Sequence, residues 1–188
     1  MKFYRNTKVL KFILPEEKYW LSFQSGLDEL KSFPTPYDTF GIKSGLNFSC
    51  FADYKHNCEN NRKGEGLKDG YVASTRLWLV EDEKFVGVFD VRHTLTESLE
   101  KEGGNIAYYI VPSARKRGLA TQGLKLCCKY AREFLGLEKV LLTCNSLNIA
   151  SYKTMKKVME ELGGIEDIPT IFTDKEEKRV WIKIINKD

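Results

Sequence analysis

Ile106–Gly136 reads IAYYIVPSARKRGLATQGLKLCCKYAREFLG. A short apolar run, Ile106 to Val111, stops at Pro112, and three consecutive cations follow: Arg115, Lys116 and Arg117. Gly118 and Ala120 come next. Then apolar or small residues fall three and four apart at Leu124, Cys127, Ala131 and Phe134 or Leu135, the spacing of one helix face. Gly136 suits a helix stop. The cations stand at the wrong end of that helix. An N-terminus carries about half a positive charge and orphan amides, so Asp or Glu belongs there. Each cation costs a few tenths to about 1 kcal/mol at that end unless something answers it. A bound polyanion reverses the sign of every such cost, because amides, dipole and cations then all point at it. The bland alternative is a solvated basic loop.

Composition narrows the class. The chain has 188 residues, 42% of them hydrophobic and 12% aromatic, enough for a core and for one domain over 1–188. Thirty cations against 26 carboxylates give +4, carried by dispersed lysines. Nucleic acid would want cations gathered on one face, so no nucleic-acid partner is expected. No window approaches 18 apolar residues, and MKFYRNTKVLKFIL lacks a long apolar stretch and a cleavage site, so no membrane partner and a cytoplasmic location are expected. The five cysteines, Cys50, Cys58, Cys127, Cys128 and Cys144, form no C-x-x-C pair. Neither a disulfide framework nor a metal site is expected.

The six residues Arg115-Lys116-Arg117-Gly118-Leu119-Ala120 match R/Q-x-x-G-x-G/A, the signature of the GCN5-related N-acetyltransferases (GNAT). The setting strengthens the match: an apolar strand before, an amphipathic helix after, then the strand Lys139 to Cys144 and TCNSLNIASYKTM leading into a helix. The chain resembles that superfamily over about Tyr71 to Ile185.

Taken in order, Val9 to Leu14 reads as a first strand. A helix from Pro15-Glu16-Glu17 to Phe33 would bury Trp20, Phe23, Leu27 and Leu30, and Pro34 and Pro36 would close it. Thr35 to Gly70 is the hardest part to read, with one helix near Phe48 to Arg62 and a loop at Lys63 to Gly70. Val72 to Val80 and Phe85 to Val91 read as antiparallel strands about the charged turn Glu81 to Lys84. Thr94 to Glu102 is a short helix or loop. Lys139 to Cys144 is expected as a parallel-type partner of the central strand, reached by a right-handed crossover. Ile149 to Leu162 is helical, with Tyr152, Met155, Met159 and Leu162 inward, and Gly163-Gly164 ends it. Pro169 to Phe172 and Arg179 to Ile185 close as a hairpin around Asp174 to Lys178. The expected class is α/β: a mixed, mostly antiparallel GNAT sheet with helices on both faces and a splay between its fourth and fifth strands.

The resemblance implies acetyl-CoA as cofactor and transfer of an acetyl group to a primary amine of a small molecule or peptide. It implies that backbone groups of about Tyr109, Ile110 and Val111 pair with the pantetheine arm as an extra strand would. The pyrophosphate would meet the amides of Lys116, Arg117, Gly118, Leu119, Ala120 and Thr121, with Arg115 and Arg117 as side-chain partners and Lys116 facing solvent. Gly118 would also serve as a turn glycine. Asn148 would contact the cofactor or cap the following helix, and Ser151 faces the same way. Many relatives place a tyrosine seven residues after that asparagine to protonate the leaving thiolate; here the position is Met155, and Tyr152 is offset from it. A thiolate of pKa about 8.5 needs less help than an alkoxide. The amine must be neutral and the oxyanion stabilised, for which an amide near Ile110 or Val111 is the natural donor. For the base, His93, Glu97 and Tyr108 are candidates, and Asp90 either joins them or pairs with Arg92. Asp38, Asp53, Glu59 and Glu65 would suit a cationic acceptor. Many relatives form homodimers, but no stretch marks an interface. A second reading is a non-catalytic acyl-CoA-binding or interaction protein on the same fold, which release of CoA with any amine would exclude.

Overall fold

The computed structural model describes residues 2–5, 8–33, 48–166, 170–172 and 175–184. In chain order the elements are β1 (Lys2–Arg5), β2 (Lys8–Ile13), α1 (Trp20–Ser32), α2 (Phe51–Lys63), β3 (Ser74–Glu81), β4 (Lys84–Arg92) and α3 (Glu97–Lys101). They continue as β5 (Ile106–Ile110), α4 (Leu119–Leu135), β6 (Lys139–Asn145), α5 (Ile149–Leu162), β7 (Gly164–Glu166), β8 (Thr170–Phe172) and β9 (Lys175–Lys183). The first strand expected from sequence is the second here, paired antiparallel with β1. The charged turn tightens to Asp82-Glu83, both at positive φ (46° and 65°), a two-residue geometry that follows the twist of the flanking strands. The expected loop at Lys175 to Lys178 is instead part of β9, with Phe172 directly opposite Lys175. Pro34, Pro36, Asp38, Pro169, Asp174 and Ile185 lie outside the described residues.

Strands β1 to β5 form one antiparallel sheet in chain order, while β6, β9 and β7 form another, with β8 on β9. Alternation sends Trp78 of β3 to one face and Phe89 of β4 to the other. On the first face Trp78 is fully buried, stacked on Phe23 of α1 at 4.6 Å and on Tyr54 of α2 at 5.5 Å, and its Nε1–H donates to Tyr54 Oη (3.1 Å). Each aromatic of this size contributes about 1.5–3 kcal/mol by burial, and ring pairing adds to it. On the second face lies α4, which turns Leu124, Cys127, Cys128 and Ala131 inward and leaves Phe134 exposed, so Leu135 takes the last inward position. In α5 the buried pair is Met155 and Val158, with Tyr152, Met159 and Leu162 only partly covered.

The expected parallel partnership of β5 with β6 does not form a ladder. Among the described residues, β6 pairs along its whole length with β9 instead. The two sheets are pinned ahead of β5, where Gly103 N–H donates to Thr143 Oγ1 of β6 (2.8 Å) and Asn105 makes a double contact. Asn105, buried there, donates its backbone N–H to Leu141 O (2.7 Å) and accepts Leu141 N–H on Oδ1 (2.8 Å). Gly104 makes this approach possible: it sits at φ +59°, and a Cβ there would stand 2.4 Å from Leu141 O. Past the pin no strand pairing joins β5 to β6 among the described residues, which leaves a gap in the hydrogen-bonded sheet along β5.

Candidate active site

The gap is edged by the backbone of β5. Arg92 N–H donates to Asn105 O (2.7 Å) and Val111 N–H to Val86 O (3.1 Å), which sets the phase of the β4–β5 ladder. Backbone groups alternate edges along a strand, so Ala107, Tyr109 and Val111 turn theirs to β4, and Ile106, Tyr108 and Ile110 turn theirs to the gap. This corrects the expected run Tyr109-Ile110-Val111. Of the three only Ile110 faces the gap, and Val111 N–H is already taken. Ile110 O accepts Arg115 Nε–H (3.1 Å), so the N–H is the group that Ile110 still offers.

The turn after β5 has the geometry of an anion cradle. Lys116 (φ +58°) and Gly118 (φ +73°) are both left-handed, and the first helical bond of α4 runs from Gln122 N–H to Gly118 O (3.2 Å). The amides of Leu119, Ala120 and Thr121 therefore have no acceptor within the helix, and its first turn holds no carboxylate. Arg115 lies over the Tyr109 ring (5.0 Å) and Lys116 is exposed; no carboxylate approaches either within 4 Å among the described residues. Arg117 is placed otherwise. Its guanidinium contacts both carboxylate oxygens of Glu81, a 6%-exposed residue at the end of β3 that also takes Lys8 Nζ (3.3 Å). Burial alone would raise the Glu81 carboxyl, but Arg117 and Lys8 outweigh it and hold the pKa below the usual value. Amides, left-handed turn and two cations with no carboxylate partner among the described residues fit a pyrophosphate; Arg117 braces the turn from behind. Glu81 closes the apolar run Leu77-Trp78-Leu79-Val80, and a carboxylate in that register was the one hint that a cation must meet it.

The first turn of α5 meets the Tyr108 side chain of β5. Asn148 caps it, accepting Ser151 N–H on Oδ1 (3.2 Å). Tyr108 crosses from β5 to meet it, with Oη 2.9 Å from Ser151 Oγ and its ring stacked on Phe89 at 5.8 Å. Burial pushes the Tyr108 phenol up to about 12. Met155 is fully buried below Ser151, and Tyr152 turns away to Glu166.

The other base candidates are engaged elsewhere. His93 Nε2 lies 2.9 Å from Thr75 Oγ1, to which Tyr130 also donates (3.5 Å), and burial lowers the His93 pKa. Glu97 pairs with Lys101 on its own helix, is mostly exposed, and is held below the usual range by that contact. Asp90 takes Ser74 Oγ–H (3.2 Å) and Arg76 (3.8 Å), not Arg92, whose Nη1 donates to the carbonyls of Gly103 and Gly104. The cross-strand partner won over the i+2 neighbour because Arg76 stands directly opposite Asp90. Glu59 and Glu65 lie near Lys55 and Lys63, and Asp53 takes Ser49 Oγ–H.

A family model described as the acetyltransferase (GNAT) domain matches residues 51–159, more than half of the chain. The chain belongs to the GNAT acetyltransferases. This GNAT protein shares its fold with a Vibrio cholerae spermidine N-acetyltransferase solved with CoA and spermine, at 17% identity and TM-score 0.55 over 94% of this chain and 98% of that one. A Streptococcus pneumoniae GNAT acetyltransferase aligns at TM-score 0.60 and 14% identity, over 93% and 98% of the two chains. An acetyltransferase from Agrobacterium tumefaciens str. C58 aligns at 0.57 and 14%, over 95% and 93%. No curated protein matches this GNAT sequence significantly.

Proposed function

We propose that the chain is an acetyl-CoA-dependent N-acetyltransferase acting on a primary amine of a small molecule or peptide by direct attack. One observation carries this reading. Among the described residues β5 has no strand partner on its β6 side, and it leads directly into the left-handed basic turn, so a strand-like edge and an anion cradle adjoin in the chain. When bound, acetyl-CoA supplies an acyl group activated as a thioester. In this chain the amides of Leu119 to Thr121, with Arg115 and Lys116, bind the pyrophosphate. The edge of Tyr108 and Ile110 holds the pantetheine arm. Ile110 N–H is the fixed donor for the acyl oxygen, and a pre-oriented amide serves better there than mobile water would. The Asn148 cap fixes the α5 turn that borders the gap.

The test is calorimetric titration with acetyl-CoA, desulfo-CoA and ATP, followed by thiol release with a library of amines. Polyamines belong in that library, since a protein of this fold is known with CoA and spermine. Both CoA compounds are expected to bind at least about tenfold more tightly than ATP, a difference of about 1.4 kcal/mol. Equal or weaker binding of the CoA compounds overturns the reading. The buried Met155 favours a second reading, acyl-CoA binding without transfer. Tight CoA binding with no thiol release from any amine would select it.

A further inference from the structure

We infer that Glu29 of α1 is a positioning residue for the pyrophosphate cradle, setting the start of the basic turn from a distant part of the chain. The inference rests on the acetyl-CoA reading above and adds the group that holds the cradle in place. Between β5 and the cations the chain makes one short turn, Pro112–Ala114. Ala114 N–H donates to Val111 O (2.9 Å) and Arg115 N–H to Pro112 O (3.2 Å). Ser113 N–H has no acceptor within the turn, because the first amides of a helical turn lack one, and the apolar Val111 cannot cap it. Glu29 supplies the cap from another element. Its Oε2 accepts Ser113 N–H (3.0 Å) and its Oε1 accepts Ser113 Oγ–H (2.9 Å), across 84 positions of sequence.

The contact belongs to a stripe of α1. Ser22, Gly26 and Glu29 stand four and three residues apart, on one face of the helix. Ser22 Oγ accepts Phe85 N–H (2.8 Å) near the start of β4. Gly26 lets the helix close on the end of β5, since a Cβ there would stand 2.9 Å from Val111 Cγ1 and 3.0 Å from Phe85 Cδ1. Glu29, one turn further on, then reaches Ser113. At its other end the basic turn is held by Arg117 on Glu81, so carboxylates from two separate elements fix it on both sides. A carboxylate close to a polyanion site carries an electrostatic cost, because like charges repel. What Glu29 contributes is geometry: two charge-assisted hydrogen bonds fix the turn before the ligand arrives, and a preformed site loses less freedom on binding. Charge and geometry push CoA affinity in opposite directions, which makes them separable.

The experiment reads binding, not turnover. Acetyl-CoA and acetyl-pantetheine are titrated calorimetrically into the full chain and its variants, and the ratio of the two affinities is followed, since of the two only acetyl-CoA carries the pyrophosphate. Glu29→Asp keeps the charge but falls one methylene short of Ser113, and the ratio is expected to drop about three- to tenfold. Glu29→Gln removes the charge but can still accept Ser113 N–H and donate to Ser113 Oγ, so the ratio should stay at or above that of the wild type. Ser113→Ala leaves the N–H contact in place and should show a smaller drop than Glu29→Asp. Asp28→Asn removes a carboxylate of the same helix whose partner is Lys31, and should leave the ratio unchanged. A merely structural role for Glu29 would lower Tm in the variants without moving the ratio. An unchanged ratio in Glu29→Asp, or an equal drop in Glu29→Gln, overturns the positioning role while leaving the CoA site standing. Failure of acetyl-CoA to bind the wild type overturns the acetyl-CoA reading and this inference with it.

Discussion

Replacing Arg117 with Ala separates a brace from a ligand contact. Glu81 is 6% exposed, and its carboxylate is shared between the half-buried Arg117 and the exposed Lys8. Breaking a fully buried ion pair costs about 3–5 kcal/mol, because the surviving charge is left without a partner. Here Lys8 remains, and the Arg117 side chain is 37% exposed, so screening by water reduces the loss to about 1–3 kcal/mol. In a chain of this length that corresponds to a fall in Tm of about 3–10 °C. Urea unfolding of Arg117→Ala, Glu81→Gln and the double variant reads it directly. Glu81→Gln should recover part of the loss in the Arg117→Ala background, since the buried charge is then gone. The pH dependence has a definite sign. The folded pKa of Glu81 is depressed, so the stabilisation is complete above the unfolded value of about 4.3 and is lost as pH falls through the folded value. The gap between wild type and Arg117→Ala should therefore close in acid. Lys116→Ala is the contrast: unchanged stability, but weaker CoA binding with little change for acetyl-pantetheine. If Arg117→Ala keeps full stability and loses only CoA, the brace is refuted and Arg117 is a phosphate ligand.

Gly123→Ala should be among the most damaging single-atom additions, because its Cβ would stand 2.0 Å from Cζ of the fully buried Phe89; a loss of about 1–3 kcal/mol or more is expected in urea unfolding. Asn148→Ala removes the α5 cap and should cost about 0.5–2 kcal/mol, with Asn148→Asp recovering most of it in the same assay. His93 has a folded pKa below its unfolded value, so the unfolded chain takes up the proton first, and stability should fall as pH drops below about 6.5. His93→Gln should flatten that slope when Tm is followed from pH 8 to pH 5.

The basic turn was legible because its signal is local: three cations, a glycine and a helical period lie within twenty residues. What those cations touch was not. Arg117 finds Glu81 thirty-six positions away through the β3–β4 hairpin, and only the fold brings them together. The Asp90 partner was misread for a related reason, since the opposing strand supplies a closer neighbour than the same strand does. The phase of β5 needed two hydrogen bonds to settle, because YYIV alone does not say which amides face the gap. Nor did any residue pattern announce that β5 and β6 would be pinned at Asn105 and then part, although a polar residue between Gly103-Gly104 and an apolar strand was a hint in retrospect.

The place of β9 has a consequence for how the molecule assembles. It lies between β6 and β7, yet it is the last of the described strands to be synthesised. The first sheet can add strands in chain order as the chain emerges, each strand meeting a neighbour already made. The second has to wait, with the edges of β6 and β7 bare until β9 slides between them. Nascent chains held in that interval would be the form most open to a chaperone, a protease or another unfinished copy.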